Sequence, residues 1–141
     1  MIAIDTNVLV HAHRSDSPFH GAATAALGAL GGRWAIPWPC IHEFYAVVTH
    51  PRIFDPPTPF ADALLAVDTW CASSPKLLGE TEEHWPILAD LLRGSQAVGP
   101  VVHDARIAAL CLEHGIEELW TADRDFSRFP ALRVRNPLVV G

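Results

Sequence analysis

The 141-residue chain is half apolar and carries 10 Lys and Arg against 16 Asp and Glu, a formal net charge of −6. That is the size of one globular domain with one core, and the charge excludes a protein that gathers nucleic acid or acidic membranes by its overall field, so a polyanionic partner must be held locally. No apolar run approaches the roughly 18 residues of a membrane span and no cationic segment precedes one, so a cytoplasmic protein without membrane contact is expected.

Ile2 to Ile4 read as a short strand, and residues 8–13 begin a helix that "RSDSP" interrupts before "HGAATAALGALGG" resumes it, with Gly31 and Gly32 as the stop. "WAIP" at 34–37 is a second strand. Beyond Pro39, Ile41, Phe44, Tyr45 and Val48 recur at helical spacing, which places Glu43 in the opening turns of a helix over 41–49. "PRIFDPPTPF" holds four prolines in ten residues and predicts a stiff loop. Helix returns over 60–72, with Leu64, Leu65, Val67 and Trp70 as its expected buried face. "KLLG" at 76–79 is a third strand, and Thr81, Glu82 and Glu83 supply a cap and an acidic first turn for a helix to about Leu92. "VVHDARIAALCLEHG" sets Ile107, Ala108, Cys111 and Leu112 on one side and ends at Gly115. "ELWTAD" and "LRVRNPLVV" hold the fourth and fifth strands. Strands separated by helices predict a single α/β domain over 1–141, with a mostly parallel central sheet of about five strands flanked by helices.

Cys40, Cys71 and Cys111 are odd in number and lie in apolar surroundings without C-x-x-C spacing, so they read as reduced core residues. Nine of the ten basic residues are arginine; Arg124, Arg128, Arg133 and Arg135 crowd the end of the chain, which suits discrete phosphate contacts and equally suits a solvated basic tail.

In an open α/β sheet, ligands bind beyond the carboxyl ends of the strands. Asp5 follows the first strand and Asp123 the fourth, with Asp125 two residues on; Glu43 and Asp104 each open a helix that can enter from the same rim. Singly, each acid also fits a turn or a helix start. If the four met about 5 Å apart, each ionised pair would repel by roughly 3 kcal/mol at an effective dielectric near 20, so such a cluster must hold protons or a divalent cation. Oxygen donors without cysteine or a well-spaced histidine pair favour Mg²⁺ or Mn²⁺, which points to hydrolysis of phosphodiesters. Asn7 can fix Asp5 or meet a phosphate oxygen, and Thr121 can serve the "TADRD" loop in the same way; both also fit ordinary turn residues.

The segments "IDTNVLV", "HEFYAVVTHPRIF", "HDARIAAL" and "TADRDF", in this order and with 38, 61 and 19 residues between successive acids, resemble the PIN-domain ribonucleases, and among them the VapC-type toxins of toxin–antitoxin pairs. The resemblance spans nearly the whole chain. It implies a Mg²⁺-dependent endoribonuclease with an acidic site of Asp5, Glu43, Asp104 and Asp123, Asp5 and Asp104 being the direct metal ligands and Asp125 a supporting acid. It also implies an RNA substrate, a homodimer, and a cognate antitoxin whose tail enters the acidic groove.

Rival readings fit less well. "HAHRSD" lacks the register of an H-x-H-x-D-H zinc site, because Ser15 stands where the aspartate belongs, and two residues spaced so on a helix face apart. A phosphatase with Asp5 as nucleophile wants an acid at Asn7, and neither a P-loop nor a G-x-S-x-G elbow is present. His103, next to Asp104, fits a substrate contact, and fits better a structural histidine at a helix start. "WAIPW" and "IFDPPTPF" are candidate dimer or antitoxin contacts. The competitor from another class is a PIN-like module that binds RNA or protein without cleaving it, although a pure RNA-binding surface gains nothing from concentrated negative charge. On the repulsion argument, Asn at Asp5 or Asp104 should abolish cleavage and leave the metal-free fold intact or more stable.

Overall fold

A computed structural model of the chain describes residues 1–139. In chain order the elements are β1 (Ile2–Ile4), α1 (Thr6–His13), α2 (His20–Gly28), β2 (Trp34–Pro37), α3 (Trp38–Val48), α4 (Phe60–Ala72), β3 (Lys76–Leu78), α5 (His84–Ser95), α6 (Val101–Glu113), β4 (Glu118–Trp120), a 3-10 helix (Arg124–Arg128) and β5 (Val134–Arg135). The strands form one sheet in the order β3-β2-β1-β4-β5, every pairing parallel. The expected α/β architecture and strand segments are therefore observed, with the fifth strand trimmed to two residues. The last residues of the expected 1–141 domain, Val140 and Gly141, lie outside the described residues.

The order of the sheet positions everything that follows. From β1 at its centre the chain builds outward to β2 and β3 on one side, then returns to place β4 and β5 on the other. Side chains of β1 and β2 are almost wholly buried, since helices cover both faces of a parallel sheet. Ala105, Ile107, Ala108, Ala109, Leu110 and Cys111 make α6 the most deeply buried helix, with Leu9, Ile36, Phe44, Leu119 and Phe126 in the same core.

Local details correct several expectations. Helix α3 begins at Trp38 rather than 41, because Pro39 falls in the first turn, where its missing N–H costs nothing. Glu43 therefore sits a turn deeper into the helix than its sequence position suggested. On α4 the buried contact is Ala63; Val67 and Trp70 are partly buried, Trp70 packing edge-on against Phe44 with 4.5 Å between ring centroids, while Leu64 and Leu65 face outward at 50% and 63% exposure. Cys71 is likewise exposed, and only Cys40 and Cys111 are buried. Helix α2 ends at Gly28, before the two glycines expected to stop it. Helix α5 starts at His84, so Glu82 and Glu83 lie outside its first turn. Thr81 instead binds the buried Glu113 carboxylate, through its amide at 2.8 Å and its hydroxyl at 2.9 Å, and His84 Nδ1 meets the same carboxylate at 2.6 Å. Among the described residues no helix is long and apolar enough to cross a membrane.

At its other end α6 closes as the sequence anticipates. Gly115 takes a left-handed φ of +66°; its amide reaches Leu112 O at 3.2 Å and the next amide, Ile116, reaches Cys111 O at 2.9 Å, the paired bonds of a Schellman cap. A Cβ at that φ is strained, so Gly115→Ala should cost about 1–2 kcal/mol in urea denaturation.

Candidate active site

Asp5 follows β1 at the point where the order of strand addition reverses, between β1 and β4. Its amide donates to Trp120 O at 3.0 Å, so the residue leaving β1 is tied to the end of β4. The side chain is only 5% exposed and acts as acceptor to four donors. Oδ1 takes the Thr6 amide at 2.8 Å and the Cys40 thiol at 3.4 Å; Oδ2 takes the Thr121 hydroxyl at 2.7 Å and the Asn7 amide at 3.2 Å. Burial raises the Asp5 pKa, against which the bonds from Thr121, Thr6 and Cys40 work to keep the carboxylate charged.

The hydroxyl of Thr121 is fully used. It donates to Asp5 and accepts from Asn7 Nδ2 at 3.1 Å and from the Asp123 amide at 3.0 Å. Asn7 Oδ1 in turn accepts from the Ala122 amide at 3.0 Å, and Asp123 Oδ1 accepts from the Asp125 amide at 2.8 Å. A continuous set of bonds thus runs from Asp5 through Thr121 to the loop that carries the last two acids. Of the two readings left open for Asn7 and Thr121, the geometry supports the one in which they orient acids.

Asp104 stands in the first turn of α6, where an acid meets the positive end of the helix dipole. Carboxylate oxygens of Asp104, Asp123 and Asp125 lie within 4.8 Å of one another. Partial burial, then the charges of Asp123, Asp5, Asp125 and Glu43, push the Asp104 pKa up to about 6. Glu43, across from them on α3, is also raised, by desolvation and by Asp5. Asp5, Thr6, Asn7, Glu43, Asp104 and Asp123 line one cavity of about 190 Å³. The four acids singled out in the sequence are brought together, and Asp125 joins Asp104 and Asp123 more closely than sequence reasoning placed it.

Other residues were missed or misjudged. Cys40, read as plain core, supports Asp5; burial and the adjacent carboxylate hold its thiol neutral, and burial pushes Cys111 to about 12. Thr6 Oγ1 is buried in the cavity wall with no hydrogen-bond partner among the described residues. His103 is exposed rather than packed. His11 and His13 bond to different partners, Ser17 at 2.6 Å and Thr58 at 3.1 Å, so they form no joint metal site, although His11 also reaches the acidic cavity. A larger cavity of about 410 Å³ by His13, Arg14 and Thr58 has no comparable chemistry, its one buried charge, Arg14, being paired with Asp16 at 2.6 Å.

The donor set suits a hard divalent cation: carboxylates that repel one another, an unused hydroxyl at Thr6, and no thiolate or imidazole among the converging acids. Residues 2–132 match the family described as the PIN domain. The chain is 37% identical over 142 residues to "Ribonuclease VapC43" of Mycobacterium tuberculosis, covering 98% of this chain and 96% of that protein. It is 33% identical over 138 residues to "Ribonuclease VapC48" of the same species, covering 94% of each. Its fold is also that of a chain in the structure of VapBC2 from Rickettsia felis bound to a DNA fragment from their promoter, with a TM-score of 0.72, 18% identity and coverage of 96% and 98%. The chain belongs to the PIN-domain family, among its VapC ribonucleases.

The hydrogen bonds separate two acids that electrostatics alone treats alike. Asp104→Asn removes a repelled charge and should raise the melting temperature of metal-free protein at pH 7. Because the folded pKa of Asp104 lies above its ordinary value of 3.8, that repulsion is present above about pH 6 and fades toward pH 4, so the gain should shrink over the same interval. Asp5→Asn places an amide donor against existing donors and should instead destabilise by about 1–3 kcal/mol, contrary to the expectation from repulsion alone. Thermal melts of both variants across this range check the split.

Proposed function

We propose that the chain is a Mg²⁺- or Mn²⁺-dependent endoribonuclease that acts as the toxin of a type II toxin–antitoxin pair in the cytoplasm. The observation that carries the reading is the approach of Asp104, Asp123 and Asp125 to within 4.8 Å beside a buried Asp5. Asp104, Asp123 and Asp125 would hold the cation, with Asp5 as ligand or as the group that fixes their positions. When bound, a divalent cation polarises a phosphoryl oxygen and lowers the pKa of a coordinated water.

The remaining work falls to the protein. Glu43, its proton affinity raised by desolvation and by Asp5, suits a proton acceptor for the attacking water. Asn7 and Thr121 keep Asp5 and the Asp123 loop in register through the bonds described above. No protein nucleophile is needed, and the neutral thiols of Cys40 and Cys111 offer none. Support for an antitoxin partner comes from the VapBC2 assembly among the structural neighbours. Pairing of two copies is supported by the outward-facing Trp38, Phe60, Leu64 and Leu65, apolar surface that a monomer leaves wet.

Incubation of the purified chain with structured RNA, with Mg²⁺ or with EDTA, tests the proposal. New RNA ends should form only with the metal, and Asp104→Asn and Asp123→Asn should each reduce their rate at least about a hundredfold. Protons compete for Asp104, so the wild-type rate should fall as pH drops through about 6. Metal-independent binding without new ends would overturn the nuclease and leave the non-catalytic module.

A further inference from the structure

The acidic cavity poses a problem for a polyanionic substrate: the groups that recruit a cation repel every phosphate. The chain is negative as a whole, yet residues 124–141 hold four arginines against a single acid, Asp125. Two of these arginines, Arg124 and Arg128, lie on the 3-10 helix that begins immediately after Asp123 and packs against α6.

The geometry of that helix distinguishes them. At three residues per turn, side chains three apart share a face. Phe126 and Phe129 form one face, each about 1% exposed and packed in the core with ring centroids 6.3 Å apart. Their burial fixes the rotation of the helix, so the second face belongs to Asp125 and Arg128. Asp125 meets Asp104 and Asp123 in the acid cluster, and Arg128 follows it one turn along, a rise of about 6 Å. Arg128 is nevertheless exposed and makes no ion pair among the described residues; the arginines that do are Arg14, Arg93 and Arg106. A guanidinium that forms no ion pair among the described residues, one turn along the helix from Asp125 of the acid cluster, is available to an external anion.

Resting on the nuclease reading above, we infer that Arg128 binds a phosphate of the RNA strand next to the one attacked at the acid cluster, so that the strand leaves the cavity along the 3-10 helix. Its planar donor edge suits a phosphate in the bidentate manner, which a lysine ammonium reproduces only as a point charge. Arg124, on the third face with Ser127, flanks this path rather than sharing it.

Binding of a labelled random-sequence RNA 20-mer, measured by fluorescence anisotropy with Ca²⁺ in place of Mg²⁺ over a salt series, separates this contact from folding and catalysis. Arg128→Gln should weaken binding roughly ten- to hundredfold and reduce the slope of log K against log salt by about 0.7, the contribution of one phosphate on a single strand. Arg128→Lys should retain the slope while recovering only part of the affinity. In cleavage with Mg²⁺, Arg128→Gln should raise KM and leave kcat at saturating RNA unchanged. Arg33→Gln, an exposed charge at the opposite, amino end of β2, should behave as wild type. Unchanged affinity and slope in Arg128→Gln would overturn the assignment, as would a loss matched by Arg33→Gln or a variant defective only in binding a protein partner. A wild-type chain that binds RNA through Arg128 and yields no new ends would reject the nuclease reading alone.

Discussion

A single buried carboxylate organises the molecule. Asp5 emerges from the central strand at the place where the order of strand addition reverses, and water is replaced around it by four donors from three separate parts of the chain: the start of α1, the first turn of α3 and the end of β4. An isolated buried charge would cost several kcal/mol and would drive the group to protonate. Here each donor reduces that cost only while its own segment is in place, so the charge binds the segments together as firmly as the segments hold the charge. The Asp123 loop is attached to the same centre through Thr121, and with it the acids that face solvent.

The consequence is a division of labour among residues of one chemical type. Asp5 has its oxygens committed to protein donors, whereas Asp104, Asp123 and Asp125 crowd together and none of them forms an ion pair among the described residues. Burial raises the proton affinity of Asp5 and of Asp104 alike, but hydrogen bonds work against it at Asp5 whereas neighbouring carboxylates add to it at Asp104. The hydrogen-bonded acid defines the geometry and the crowded ones retain unspent affinity. This is also why the thiols of Cys40 and Cys111 matter chemically: held neutral, they add no further negative charge to a site that already carries too much.

Much of this was legible in the sequence, for a definite reason. Asp5, Asp104 and Asp123 each adjoin an element whose boundaries are written locally, by the apolar strand before Asp5, the helical periodicity after Asp104 and the "ELW" strand before Asp123, and parallel topology then forces the three to one rim. Glu43 was placed correctly in the molecule and wrongly within its helix, because apolar spacing does not reveal that Pro39 can be inside the first turn. Closeness of Asp125 to the cluster was hidden, since it depends on the amide of Asp125 bonding back to Asp123 and starting a 3-10 turn rather than an extended segment. The support from Cys40 was equally hidden, as nothing in a sequence says which buried thiol will meet a carboxylate 35 residues away. Leu64 and Leu65 failed in the opposite direction: periodicity identifies an apolar face of a helix, and whether that face meets the core or the solvent is decided by the placement of neighbouring elements.

An acid cluster of this kind has to be paid for elsewhere in the fold, and the structure shows where. Repulsion among Asp104, Asp123 and Asp125 pushes apart α6 and the segment that follows β4. Opposing it are the two phenylalanines of that segment, buried with α6 in the main core, and the fixed bonds of Thr121. Dispersion and apolar burial are insensitive to pH and salt, while the repulsion they resist depends on both and would be relieved by a bound cation. The site is therefore kept assembled before any ligand arrives, by forces that the ligand does not alter. Preassembly of this sort leaves the free energy of cation binding available for holding and polarising a phosphate, because little of it is consumed in folding the site.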